Sequence, residues 1–115
     1  MDKVLITGSN GLLGQELVKQ FLAKGYFVIG VSKGPLRFAV DSSFFKYYSV
    51  DITNDFELPD ILSNEQPGVL IHTAAMTQVD ECELKEKECF EINQHGTVHV
   101  LAGAEMYCSF IIHIS

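Results

Sequence analysis

Basic residues are scarce in this chain. Eight lysines and arginines stand against fifteen aspartates and glutamates, a formal net charge of −7 at neutral pH over 115 residues. No lysine- or arginine-rich run interrupts that acidity, which argues against nucleic acid or an anionic membrane surface as a partner. Long apolar runs are missing too. Nothing approaches the roughly 18 consecutive apolar residues of a membrane span, so no segment reads as crossing a bilayer. Met1-Asp2-Lys3 leads straight into a short strand pattern without a secretory leader. Cysteine is sparse and unpaired. Cys82, Cys89 and Cys108 are an odd number with no C-x-x-C, which reads as reduced thiols in a cytoplasmic protein. His95 and His99 lie four apart, but no third ligand or H-E-x-x-H pattern accompanies them, so no metal site is expected. The mononucleotide P-loop pattern G-x-x-x-x-G-K-[ST] is also absent.

What is present is an ordinary globular composition, 47% hydrophobic and 20% charged, of a length that fits one domain or part of one. Near the start, Val4-Leu5-Ile6 is apolar at consecutive positions, as in a parallel strand buried on both faces. Gly8-Ser9-Asn10-Gly11-Leu12-Leu13-Gly14 comes next. An amphipathic helix pattern then runs from about Leu12 to Lys24, with Gly25 just past its end as a C′ glycine. Strand, glycine loop and helix in that order are the context in which such a loop binds a dinucleotide. Gly8 permits the sharp exit from the strand, Gly11 lets backbone approach a pyrophosphate, and Gly14 is expected to let the helix lie close on the sheet. The helix start aims free N–H groups and the positive dipole end at the phosphates.

Tyr26–Val31 reads as the second strand and completes a β-α-β unit. Its tip is Ser32-Lys33, with Arg37 nearby and no acid. A carboxylate there would accept from a ribose 2′-hydroxyl, whereas Ser and Lys suit a 2′-phosphate, which points to NADP(H) with NAD(H) the weaker ligand. Residues 34–46 carry no clear period, although some of Phe38, Val40, Phe44 and Phe45 must cover the sheet. Tyr47–Val50 reads as a third strand ending at Asp51-Ile52-Thr53, and a helix over about Asp55–Glu65 stops at Gln66-Pro67-Gly68. Asp51, Thr53 or Asn54 is also a candidate cap for that helix. Val69–Ile71 is the fourth strand, Leu84–Met106 a long helix whose acidic start is a solvated face, and Phe110–Ser115 the fifth strand.

With Thr7 in front, the glycine loop resembles the T-G-x-x-G-x-x-G loop of extended short-chain dehydrogenases/reductases. The stretch His72–Glu83 is similar to the N-A-A-x-T-x-V-D-x-x-E segment of dTDP-4-dehydrorhamnose reductases. Ala74, Ala75, Thr77, Val79, Asp80 and Glu83 fall in register, and His72 stands where many relatives carry Asn. The resemblance implies an α/β fold, a Rossmann-type doubly wound parallel sheet of about five strands in the order 3-2-1-4-5. It implies cofactor contacts from Gly8, Asn10, Gly11, Leu12, Leu13 and Gly14 in the loop and from Ser32 and Lys33 at the second strand's tip. Asp51, beside Ile52, would accept from the adenine amino group. Ala74, Ala75 and Met76 would line the dinucleotide, and Asn93 would fix backbone and water near the active site.

The parent activity so implied is NADPH-dependent reduction of a 4-keto sugar nucleotide in deoxysugar synthesis. Relatives also serve as non-catalytic, NADP-binding regulatory subunits of methionine adenosyltransferase, and others are sugar-nucleotide epimerases or dehydratases. The family's Tyr-x-x-x-Lys pair is absent here: Tyr26, Tyr47, Tyr48 and Tyr107 have Gly30, Asp51, Ile52 and Ile111 four residues on. No catalytic residue is therefore assigned. Residues 1–115 read as an incomplete NAD(P)-binding domain, without turnover by itself and without the substrate-binding part. Leu70, Ile112 and Ile114 or their neighbours are expected to lie bare on the sheet, each exposed aliphatic forfeiting about 1.5–3 kcal/mol of burial, which would leave the chain marginal, or pairing with another copy or with the missing half.

Overall fold

The computed structural model describes residues 2–51, 57–73 and 110–114. Along the chain they form β1 (Lys3–Thr7), α1 (Leu12–Ala23), β2 (Phe27–Ser32), β3 (Phe45–Ser49), α2 (Glu57–Glu65), β4 (Val69–His72) and β5 (Phe110–His113). All five strands are parallel in one sheet ordered β3-β2-β1-β4-β5. The Rossmann-type order expected from the sequence is the one observed.

Alternation along β1 builds two cores. Leu5 turns to one face with Ile29, Val31, Leu70 and the α2 residues Leu58, Ile61 and Leu62. Val4 and Ile6 turn to the other with Val28, Ile71 and Val18 of α1, joined by half-buried Leu17, Phe21 and Leu22. Strands covered on both faces must be apolar at successive positions, which is why Val4-Leu5-Ile6 and Val69-Leu70-Ile71 lack polar alternation. α1 ends at Ala23 with Lys24 as its C-cap, and Gly25 takes φ +89°, as a C′ glycine should. α2 ends where Gln66, ahead of Pro67, adopts φ +47°.

Two expectations need correction. β3 begins at Phe45, two residues before the place the pattern suggested. It is an edge strand whose alternation breaks: Phe45 is half-buried and Lys46 exposed, but Tyr47 and Tyr48 are both half-buried. Leu70 is not bare but fully buried, because α2 covers that face of β4. Ile114 packs half-buried against the α1-side core. Among the described large apolar side chains of β4 and β5, Phe110 (67%) and Ile112 (42%), alternate residues of β5, are exposed. Of the aromatics in the irregular stretch, Phe38 and Phe45 cover the α1 side, while Phe44 stays exposed. No helix among the described residues is long and apolar enough to cross a membrane. The long helix expected over Leu84–Met106, the three cysteines, and His95 and His99 lie outside the described residues.

Candidate functional site

The sheet order reverses between β1 and β4, and the glycine loop leaves β1 at its C-terminal end. Ligands of open α/β sheets bind at such a switch point. Gly8 takes φ +70°, a conformation that a β-carbon disfavours, and turns the chain off the strand. Its amide and that of Ser9 donate to Val31 O at the end of β2 (2.7 and 3.3 Å), and the Gly11 amide returns to Gly8 O (3.0 Å). Gly14 meets the loop rather than the sheet. A β-carbon there would stand 2.2 Å from Gly8 O and 2.7 Å from Ser9 Cα. Gly30 in β2 plays the reciprocal part, since a β-carbon would lie 2.9 Å from Ser9 Oγ and 3.1 Å from the Phe45 ring. A glycine inside a strand pattern marks close approach, so this seat for the loop had a readable signal that the motif overshadowed.

Hydrogen-bond accounting separates the loop's structural amides from those it can offer. Gly8, Ser9, Gly11 and Asn10 all donate within the protein, Asn10 to Ser32 Oγ at 3.1 Å. Gln15 donates to Gly11 O as the first closed turn of α1 (2.9 Å). No hydrogen bond among the described residues reaches the amides of Leu12, Leu13 or Gly14. The N-cap is Gly11, no side chain caps the helix, and its first turn holds no acid. Three N–H groups at a positive helix end, with neither cap nor carboxylate competing, favour an anion. Leu12 stands beside them 90% exposed. These observations fit the diphosphate of a dinucleotide.

A buried polar clasp closes the switch point. Thr73 donates its amide to Thr7 O (3.2 Å) and Thr7 Oγ1 (3.1 Å), and its hydroxyl to Thr7 O (2.6 Å). Thr7 Oγ1, which also accepts the Thr73 amide, lies 2.6 Å from His72 Nδ1, a hydrogen bond whose direction follows the imidazole tautomer. All three side chains are essentially inaccessible. The clasp aligns the ends of β1 and β4, from which the glycine loop and the 74–76 stretch depart.

The second strand's tip is more committed than its sequence suggests. Ser32 is buried and its oxygen already accepts the Asn10 amide, which leaves its proton to offer. Lys33 is exposed, 4.0 Å from the Asp51 carboxylate at the end of β3. The Asp51 amide donates to Glu57 Oε2 (3.1 Å), which ties the residue to the start of α2. Asn10 sends its side chain into the 35–37 turn rather than outward: Nδ2 donates to Pro35 O (3.0 Å) and Tyr47 Oη (3.2 Å), and Oδ1 accepts from the Arg37 amide (3.0 Å). The described residues thus bring Gly8, Asn10, Gly11, Leu12, Leu13, Gly14, Ser32, Lys33 and Asp51 to one edge of the sheet. Ile52, Ala74, Ala75, Met76 and Asn93 lie outside the described residues, as do the helix-cap candidates Thr53 and Asn54. Tyr47 was not anticipated as part of the site. It contacts the loop from another strand, a relation no local motif carries.

Residues 1–115 match the family described as the RmlD substrate binding domain. The chain is 31% identical over 115 residues to a dTDP-4-dehydrorhamnose reductase of Aggregatibacter actinomycetemcomitans, which covers 100% of this chain and 35% of that protein. It is 26% identical over 113 residues to the methionine adenosyltransferase 2 subunit beta of Rattus norvegicus, covering 98% of this chain and 32% of the relative. Among solved structures, UDP-glucose 4-epimerase with UDP-glucose from Thermotoga maritima superposes with a TM-score of 0.81 at 23% identity, over 96% of this chain and 37% of that one. A short chain dehydrogenase from Leptospira borgpetersenii with bound NAD+ gives 0.73 at 28% identity, over 89% and 44%. The chain spans about a third of the length of the curated relatives it matches.

Proposed function

The chain belongs to the RmlD substrate binding domain family, and from that premise we propose that it is the NADP(H)-holding portion of a nucleotide-sugar reductase. The observation that carries this reading is the uncapped start of α1, where the amides of Leu12, Leu13 and Gly14 have no partner among the described residues. In this reading those amides hold the diphosphate. Gly8 and Gly11 shape the backbone beneath it, and Gly14 keeps the helix against the loop. Asp51, next to Ile52, accepts from the adenine amino group. Ser32 and Lys33, with Arg37, meet the ribose 2′-phosphate; no acid at the tip of β2 repels it. Ala74, Ala75, Met76 and Asn93 serve the nicotinamide side.

The bound dinucleotide would supply hydride to a 4-keto sugar nucleotide, as the reductase relatives' name implies. These 115 residues supply binding and orientation, since no tyrosine among them has lysine four residues on. We place the protein in the cytoplasm, with three reduced cysteines and no metal.

Calorimetric titration of the chain with NADPH and NADH tests the cofactor assignment. About 10- to 150-fold tighter binding of NADPH is expected from one charge-assisted contact, which is worth roughly 1.5–3 kcal/mol. Equal affinities, or tighter NADH, would overturn it. A second reading is favoured by the similarity to the methionine adenosyltransferase 2 subunit beta over nearly the whole chain: a regulatory subunit that binds NADP(H) without turnover. An epimerase or dehydratase parent is the third. Reduction of dTDP-4-dehydrorhamnose by the parent protein would select the reductase, while binding to a methionine adenosyltransferase without reduction would select the regulator.

A further inference from the structure

We propose that Asn10 and Tyr47 are positioning residues that shape the Ser32–Arg37 turn and thereby set discrimination at the ribose 2′ position. The inference rests on the dinucleotide reading above and deepens it. The turn belongs to no helix or strand beyond Ser32, so side chains must define its path. Three of them hold it at four places: Asn10 at two, Tyr47 at one with its single hydroxyl proton, and Ser49 Oγ as acceptor of the Gly34 amide (3.2 Å). Asn10 takes the Pro35 carbonyl (3.0 Å) and the Arg37 amide (3.0 Å). Tyr47 Oη lies 2.5 Å from Gly34 O and 3.1 Å from Ser32 O, and it accepts from Asn10 Nδ2 at 3.2 Å. The Asn10 amide adds a fifth tie, to Ser32 Oγ. A carboxamide offers two donors and one acceptor oxygen; both Asn10 donors are spent, and its oxygen holds Arg37.

The two cations of this edge, Lys33 and Arg37, sit inside the clamped run. A 2′-phosphate carries nearly two negative charges and is read well only by donors held in place, because ordering a free lysine or arginine costs side-chain entropy. Fixing the backbone on both sides of Lys33, at Ser32 and Gly34, and at the amide of Arg37 lowers that cost. Burial raises the pKa of Tyr47, so its hydroxyl remains a donor across the neutral range. Asn10 belongs to the glycine loop itself, so the diphosphate seat and the 2′-reading turn share one support. The side chain of Asn10 therefore acts through the turn rather than by touching the cofactor.

Tyr47→Phe keeps the ring and removes the hydroxyl. The probes are 2′,5′-ADP and 5′-ADP, titrated into the full chain by calorimetry. The variant is expected to weaken 2′,5′-ADP about 2- to 10-fold, the range of one lost hydrogen bond, and to change 5′-ADP less than about 2-fold. The Arg37 amide should exchange faster with solvent in Asn10→Ala, which removes its acceptor. That exchange measurement on the free protein also serves if Tyr47→Phe folds poorly. Equal weakening of both probes, no weakening of either, or an unchanged Arg37 amide would overturn the positioning role. A wild-type chain that binds both probes equally would overturn the NADP(H) assignment and this inference with it. A wild-type chain that binds neither would overturn the dinucleotide site itself.

Discussion

Replacing Gly14 by alanine asks how tightly the first helix is locked to its loop. The added carbon would stand 2.2 Å from Gly8 O, 2.7 Å from Ser9 Cα and 2.9 Å from Gly8 C. Ordinary contacts are about 3.5 Å or more between carbons, so something must move by roughly 1 Å. The obstructing atoms are all backbone, and that backbone is pinned: Gly8 and Ser9 donate to Val31 O, and Gly8 O accepts the Gly11 amide. Overpacking of this kind costs about 1–3 kcal/mol, while alanine in place of glycine returns at most about 1 kcal/mol of helix propensity. The net loss is about 1–2 kcal/mol, which lowers the thermal midpoint by roughly 4–8 °C at about 4 °C per kcal/mol. Differential scanning calorimetry of wild type, Gly14→Ala and Gly68→Ala measures it. Gly68 serves as the control because nothing lies within 4 Å of its added carbon. NADPH affinity should fall about tenfold or more in Gly14→Ala as Gly8 is displaced. A Gly14→Ala protein as stable as wild type, or one that loses no more than Gly68→Ala, would refute the close approach.

Two further perturbations test the frame around the site. Glu65, at the end of α2, accepts from Tyr48 Oη (2.6 Å) and faces Lys46 Nζ (3.1 Å) and Lys3 Nζ (3.3 Å). The Tyr48 hydrogen bond first, then the two lysines, hold its carboxyl below the ordinary 4.5. The unfolded chain then binds the proton more readily, so this stabilisation is present above about pH 4.5 and is lost as pH falls through the folded-state value. Glu65→Gln should cost about 1 kcal/mol at pH 7, mostly from the tyrosine hydrogen bond because the lysines are solvated. In urea titrations the gap between the two proteins should narrow as pH falls below about 4.5, and a gap that widens in acid would contradict the assignment. Ser9 Oγ is buried with no hydrogen-bond partner among the described residues, so Ser9→Ala should be neutral or stabilise by about 1 kcal/mol in the same titration; a loss beyond 1 kcal/mol would mean the hydroxyl is paired.

The sheet order and the first helix were legible because their signals are local and strong. Val4-Leu5-Ile6 must be a doubly covered strand, and three glycines at one spacing leave few alternatives to a tight turn into a close-packed helix. The start of β3 was not legible, since a half-buried edge strand need not alternate. Nor was the burial of Leu70, because no local pattern says that α2, rather than a helix beyond the fifth strand, covers that residue. The sequence placed Asn10 in the glycine loop and Ser32 at the tip of the second strand, but their hydrogen-bond partners were not legible. Their hydrogen bonds join positions 22 to 37 residues apart, and such pairings come from the fold, not from any spacing in the chain.

The central claim is that the first turn of α1 grips a diphosphate. Amide chemical-shift mapping of the isotopically labelled chain during titration with NADPH tests it most directly. The account predicts that the amides of Leu12, Leu13 and Gly14 shift most and saturate together with the binding isotherm, with Lys33 and Arg37 shifting less. Saturating NADPH that leaves those three amides unmoved, or that moves a different edge of the sheet, would contradict it.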